Sequence, residues 1–252
     1  MIKDIILGIK EYAGALELIS KLKLWKYFII PVLISIVTAV LIGVEAYVLS
    51  DNIGGYISKL WIWDFGKENF TSISNFVGGI IIIIIGLILY KHIIIALSAP
   101  FMSAVSEKIE LHFYGDATHL HRKSTFTQQL VRGIRINSRN LAKELLITIP
   151  ILLLKFIPIV NIFSTILLFL VQAYYAGFGN MDYTLERHLD YKKSVQFVGK
   201  HKGFAIGNGI IFMLCLLIPV IGIIMVLPLS VTASSTKTLS LLHNKQGLVY
   251  EK

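Results

Sequence analysis

The sequence predicts an all-α integral membrane protein, and three observations predict it. Of 252 residues 55% are hydrophobic and only 15% are charged, against about 25% charged in a soluble domain. Mean hydropathy is +0.73. The apolar residues gather into long runs separated by cation-rich segments, as in membrane helices joined by loops. The formal net charge of +9 is explained by Lys and Arg collecting in cytoplasmic loops, so no nucleic-acid partner is implied. The single cysteine, Cys215, excludes an intramolecular disulfide or a cysteine metal cluster. One membrane domain, 1–252, accounts for the chain.

Residues 2–20 place Ile2, Ile5, Ile6, Ile9, Ala13, Leu16 and Ile19 at helical spacing among Lys3, Asp4, Lys10, Glu11 and Glu17. This is an amphipathic helix for the membrane surface, and its charges exclude a removable signal peptide. It closes domain segment 1–26 in a basic, aromatic juncture, Lys21-Leu22-Lys23-Leu24-Trp25-Lys26-Tyr27. Two readings fit the juncture: an interfacial belt of aromatics and lysines, or a mouth that gathers anions. The first span is 27–49, with Glu45 near its far end, where a carboxylate reaches water. A polar loop follows over 50–75, with Trp61 and Trp63 as interfacial anchors. The second span begins at 76 and carries Lys91 and His92 toward its exit. Its apolar pattern thins through Ala99-Pro100-Phe101, so the helix is expected to project from the bilayer as far as 113.

Between Thr127 and Leu146 a basic amphipathic helix is expected. Leu130, Ile134, Leu141 and Leu145 share one face, with Arg132, Arg135, Arg139 and Lys143 on the other. The cations suit anionic phospholipid headgroups or substrate recruitment. This helix leads into the apolar stretch Leu145–Phe178, whose 34 residues fit no simple span. One crossing takes about 20 helical residues and two with a turn take about 42. Lys155 and Pro158 divide the stretch into a short helix of about ten residues, about 15 Å long, and a longer return. That arrangement is a re-entrant hairpin, so that 127–178 is basic helix plus hairpin. Ile157-Pro158-Ile159-Val160-Asn161-Ile162 is echoed by Ile218-Pro219-Val220-Ile221-Gly222-Ile223, which places a second hairpin over 204–242. In both, Pro blocks helix continuation, and Asn161 or Gly222 tolerates a turn. Half-helices of this kind build polar sites inside lipid, so Pro158, Asn161, Pro219 and Gly222 are candidates for shaping a pathway. Ordinary proline-kinked spans are the alternative.

Cations fix the expected topology. The N-terminal segment holds five Lys, the 50–75 loop two, residues 98–144 seven Lys or Arg, and residues 180–203 five. The poor loop lies outside and both termini are cytoplasmic. No nucleophile elbow, phosphate loop, dinucleotide fingerprint or zinc motif occurs, so neither enzyme nor cofactor is expected. His112, His119 and His121 near Asp116 fit a solvated loop better than a metal site. Asp182, Glu186, Arg187, His188 and Asp190 read as local salt bridges.

Five stretches, in order, resemble one family. They are Gly14–Ile19 leading to Tyr27-Phe28-Ile29-Ile30-Pro31; Ala99-Pro100-Phe101 with Glu107-Lys108-Ile109-Glu110; Asp182-Tyr183-Thr184-Leu185-Glu186-Arg187-His188; His201–Gly207; and Leu227-Pro228 with Ala233. The chain resembles the CysZ-type bacterial sulfate permeases, which share a domain with the etoposide-induced membrane proteins. The resemblance implies two long transmembrane helices, two hemi-penetrating hairpins, homo-oligomers, and sulfate passage across the inner membrane for cysteine synthesis without an ATPase. It places the anion site at Lys21, Lys23, Leu24, Trp25 and Lys26. There the family's Gly-Leu-Arg and following Arg are replaced by Lys23-Leu24-Trp25-Lys26, so point charges stand in for a bidentate fork. A reading from another class, a non-transporting membrane scaffold that binds lipid through the basic helix, stays open beside transport.

Overall fold

The computed structural model describes residues 1–59, 67–115, 124–154, 157–218 and 221–245, and all regular structure among them is helical. In order these helices are α1 (Ile2–Lys10), α2 (Ala15–Lys21), α3 (Trp25–Ser58), α4 (Lys67–Leu97), α5 (Ala99–Tyr114), α6 (Phe126–Leu154), α7 (Pro158–His188), α8 (Tyr191–Lys200), α9 (Lys202–Leu216) and α10 (Ile221–Lys245).

The α3 and α4 helices pack antiparallel. The Ser35 and Tyr90 hydroxyls share a buried hydrogen bond, Gly86 sits against Ile42, and Gly54 sits against Asn75. The polar loop expected over 50–75 is largely helix instead, because α3 runs on to Ser58 and α4 starts at Lys67. Gly54 lets the backbones close up, and Asn75 Nδ2 donates to Asp51 Oδ1 at 2.8 Å. The pair therefore stays zipped beyond its apolar part. Trp61 and Trp63 lie outside the described residues.

The projection expected past residue 97 is a sharp corner. Ile88–Leu97 and α5 are bent by 64° at buried Ser98. Pro100, in the first turn of α5, has no N–H to continue the α4 ladder, and its ring clashes with the carbonyl four residues back. By length and composition, Trp25–Ser58 and Val160–His188 can each cross a membrane, and the bent pair makes a third only if counted as one span.

Hairpin 1 differs from expectation in its arms. The basic helix and the first arm are one 29-residue helix, α6, with Pro150 inside it, since the helical period carries through and one missing N–H costs a single bond. The return arm, α7, passes residue 178 and ends at His188. Pro158 opens α7, where its missing donor is harmless. Asn161 is therefore not a turn residue. It lies in the first turn of α7, its carbonyl accepting from Ser164 and Thr165 hydroxyls at 2.9 Å each. In hairpin 2, Pro219 falls outside the described residues, as Lys155 does in hairpin 1. Gly222 is helical too, in the first turn of α10. A Cβ there would strike the Cys215 carbonyl, so Gly222 serves close approach of the two arms rather than a turn conformation.

The buried side of α6 is neither the apolar nor the basic face read from the spacing. Its buried side is Gly133, Ile136, Asn137, Asn140, Glu144, Thr148 and Ile151, while Ile134, Leu145 and Leu146 are exposed. Where lipid is the solvent, apolar side chains lose nothing outside, and polar groups gather inward to satisfy one another. The α7 and α9 helices cross in near backbone contact, with Gly177 on Ala205 and Gly209 on Ala173, and α1 lies across α9 through Gly8 and Gly207. An apolar core of Ile19, Leu24, Phe28, Ile94, Met102 and Leu239 joins α2, α3, α4, α5 and α10. A second, around Ile136, Phe178, Phe197 and Phe204, joins α6 to α9.

Candidate functional site

The α2–α3 junction is built by a turn that needs a left-handed residue. Leu24 N–H donates to Ile19 O at 2.9 Å and Lys23 N–H to Ser20 O at 3.2 Å, the paired bonds of a Schellman end. Lys23 sits at the αL position with φ 53°, where glycine is the strain-free choice. The family's glycine thus corresponds to a backbone conformation. The Lys23 and Leu24 amides are spent on the helix end, so they are not donors for an anion. Leu24 is fully buried, anchoring the turn in the core. What remains outward is the start of α3, whose first N–H groups carry the positive end of the helix dipole, and the cations around it.

Those cations divide. Lys21 lines a cavity of about 320 Å³ with Lys10, Glu11, Glu17, His112 and Thr236. Burial raises the Glu11 carboxyl there, against a smaller opposing pull from Lys237. Lys23 and Lys26 are exposed. The Lys26 ammonium lies 5.3 Å from the Tyr27 ring centroid, and Lys108 of α5 lies 5.6 Å from the same centroid. The two ammoniums are therefore within about 11 Å of each other. Trp25 is exposed and packs edge-on to Phe28. Lys108 is a further cation at this junction that the sequence did not place there. It stood among the quoted family stretches, but only the corner at Ser98 brings it back to α3.

Behind this junction lies a buried ionic network. Lys91 Nζ is 2.6 Å from Glu144 Oε1, and His92 Nε2 is 3.1 Å from Glu144 Oε2, all three side chains at most 4% exposed. Glu144 was legible in principle, as the only acid between Asp116 and Asp182. The 182–188 stretch is the hub of the rest. Asp182 takes both Arg132 Nε (3.2 Å) and Nη2 (2.9 Å). Tyr183 donates to Ile95 O at 2.7 Å. The Thr184 and Ser106 hydroxyls are 2.7 Å apart. Arg187 donates to Glu110 Oε2 at 2.7 Å and to Ser103 O at 2.8 Å. His188 Nε2 is 3.1 Å from the Glu110 carboxylate. The local salt bridges expected here are cross-helix pairs, apart from Asp190, which caps α8 and meets Lys193 at 3.6 Å.

The four cations of α6 have different surroundings. Arg132 also donates to Leu189 O at 2.8 Å and Ser194 Oγ at 2.7 Å. Burial works against its charge, but Asp182, Glu186 and Asp190 together outweigh it and hold the guanidinium pKa above its ordinary value. Arg135 is exposed and stacks 4.4 Å above the Tyr191 ring centroid. Arg139 donates to Asn140 Oδ1 at 2.9 Å. Lys143 is exposed. Surface contact from this helix thus falls to Arg135 and Lys143. His112 sits edge-on to Phe113; His119, His121 and Asp116 lie outside the described residues, and among those described no metal-binding group occurs.

The family model described as "Sulfate transporter CysZ/Etoposide-induced protein 2.4" matches residues 12–226. No curated protein matches the chain. The matched residues run from the lead-in to α2 into α10, taking in the lysine junction and the whole 182–188 hub, and the chain belongs to the sulfate transporter CysZ/etoposide-induced protein 2.4 family.

Proposed function

We propose that this chain is a permease of the bacterial inner membrane for a small inorganic oxyanion, sulfate above all, supplying sulfur assimilation and cysteine synthesis. The observation that carries the reading is the family match over residues 12–226. The lysine junction supports it: Lys21, Lys23, Lys26 and Lys108 crowd the positive end of α3, where a doubly charged anion is favoured. Leu24 and Trp25 hold that junction in place. Both termini are assigned to the cytoplasm, from the cation-poor 50–75 loop.

In this reading α3 and α4 cross the bilayer, and hairpins α6–α7 and α9–α10 enter from the cytoplasmic side and return. Residues around Pro158, Asn161, Pro219 and Gly222 shape the route at the hairpin tips. Arg135 and Lys143 meet anionic phospholipid, Arg132 and Arg139 brace the bundle, and several copies assemble into the working unit.

The test is uptake of labelled sulfate into proteoliposomes, with phosphate and chloride as competitors. Saturable uptake preferring sulfate is expected, and the Lys23→Glu/Lys26→Glu protein should lose it while melting normally. Normal flux in that double variant would remove the lysine junction from the mechanism.

A further inference from the structure

The α3–α4 pair carries a long groove on its exposed side. A cavity of about 540 Å³ runs from Ile30 to Glu45 along α3 and from Leu97 to Ile82 along α4, about 22 Å on either wall at 1.5 Å per residue. Among the described lining residues Thr38 carries the one hydroxyl, and it is spent on Ile34 O at 2.7 Å. Glu45 lines only the far end. Between the ends nothing is left to meet a polar ligand, so the groove selects an apolar occupant. Averaged over its length the cavity is about 24 Å² in section, against about 80 Å² for a helix 10 Å across. That section suits one hydrocarbon chain and not a helix of another subunit.

The two ends carry opposite charge. One turn before Ile30, on the same face of α3, stands Lys26. Its ammonium and that of Lys108 lie 5.3 and 5.6 Å from the Tyr27 ring centroid. Both lysines are exposed. The ion pairs of lysine among the described residues are Lys91–Glu144 and Lys193–Asp190, so neither Lys26 nor Lys108 has a carboxylate of its own. Glu45 repels an anion from the opposite end. A molecule with a negative head and an extended hydrocarbon tail satisfies the whole groove in one orientation. We propose that the groove binds one anionic phospholipid, its phosphate on Lys26 and Lys108 and one acyl chain between α3 and α4. The inference rests on α3 and α4 crossing the bilayer, and not on which anion the protein carries. Lys21 and Lys23 stay open to a permeant anion.

Native mass spectrometry of the full-length protein in detergent, titrated with dioleoyl phosphatidylglycerol or dioleoyl phosphatidylcholine, tests it. One tightly held phosphatidylglycerol per chain is expected, with phosphatidylcholine at least tenfold weaker. Lys26→Gln with Lys108→Gln should weaken phosphatidylglycerol at least tenfold. Leu89→Trp, which fills the groove from a partly exposed position, should do the same. Arg135→Gln with Lys143→Gln, on α6, should leave the tightest site unchanged. Lys26 and Lys108 are on the surface, so their variant reports on the site even if Leu89→Trp misfolds. Equal affinity for the two lipids, or binding indifferent to the double lysine variant, would overturn the proposal. So would displacement of the lipid by inorganic phosphate, which would mean a free-anion site. A dimer that Leu89→Trp dissociates would overturn it too, because a second copy would then cover the groove. Sulfate uptake is read in a separate assay, so failure of either result leaves the other standing.

Discussion

The α3–α4 pair and the α6–α7 hairpin are both antiparallel, both apolar on the outside, and differ in how far that outside extends. Between the exposed aromatics Trp25 and Tyr56, the exposed large aliphatic residues of α3 run from Ile29 to Leu49, and the exposed large apolar residues of α4 run from Ile73 to Leu97, about 30 and 36 Å at 1.5 Å per residue. On α6 they are concentrated from Leu145 to Leu154, and on α7 they run only from Ile157 to Leu167, about 15 Å per arm. Among the described residues the α9–α10 hairpin shows Leu214, Leu217, Ile218 and Ile224 exposed near its tip. Total helix length hides this difference, because α7 is long enough to span. Its most apolar window is 44% buried, however, against 22% for α3. The length of exposed apolar surface therefore separates the two kinds of helix pair. In the long pair it equals the roughly 30 Å of a hydrocarbon core and in the α6–α7 pair about half of it, which is why the proposed reading has the first pair cross and the second re-enter.

The two regions are also held together differently, which can be broken from either side. The largest effect is expected at Glu144. Its replacement by Ala strands Lys91 as a buried cation and should cost about 3–5 kcal/mol, read as a fall in denaturant midpoint in detergent. Lys91→Met with Glu144→Met, which removes both charges, should recover most of that. Next come the glycine crossings. In Gly177→Ala a methyl meets the Ala205 backbone and should cost about 1–3 kcal/mol. In Gly86→Ala the methyl meets only the Ile42 side chain of the α3–α4 pair, and the melting temperature should fall by less.

Smaller still, and opposite in sign, is Lys23→Gly. It relieves a left-handed non-glycine residue and should stabilise by about 1 kcal/mol, seen as a raised melting temperature. The smallest effect is at Asp190. The Lys193 amide and ammonium hold its carboxyl below the usual aspartate range. Its contribution to stability is therefore complete above the unfolded pKa of about 3.9 and lost as pH falls through the lower folded value. The stability gap between wild type and Asp190→Ala should narrow only in that acid range.

The sequence made the helical class, the lipid-seeking runs and the family legible, because hydropathy and spacing are local properties. It misjudged what depends on partners. The spacing on α6 separated an apolar from a basic face, but not the polar side of Asn137, Asn140 and Glu144 that is buried, while Ile134 and Leu145 are exposed. Pro100 was visible, yet the corner that carries Lys108 back to Tyr27 is a tertiary outcome. Lys91 and Glu144 lie 53 residues apart, and no periodicity connects them. At Lys23, which stands where the resembled family has glycine, the turn geometry assigns the position a conformational task that the sequence did not reveal.

Depth of the hairpin tip tests the account most directly. Single spin labels at Ile157, at the tip of hairpin 1, and at Val37 and Tyr47 on α3, in protein reconstituted into lipid bilayers, would be compared for collision with oxygen and with a polar nickel chelate. The account predicts that Ile157 lies as deep as Val37, near the bilayer centre, with Tyr47 approaching the far interface and no α6–α7 label reaching that far level. An Ile157 label as accessible to the nickel chelate from the far side as Tyr47 would show that α6 and α7 cross completely, and would contradict it.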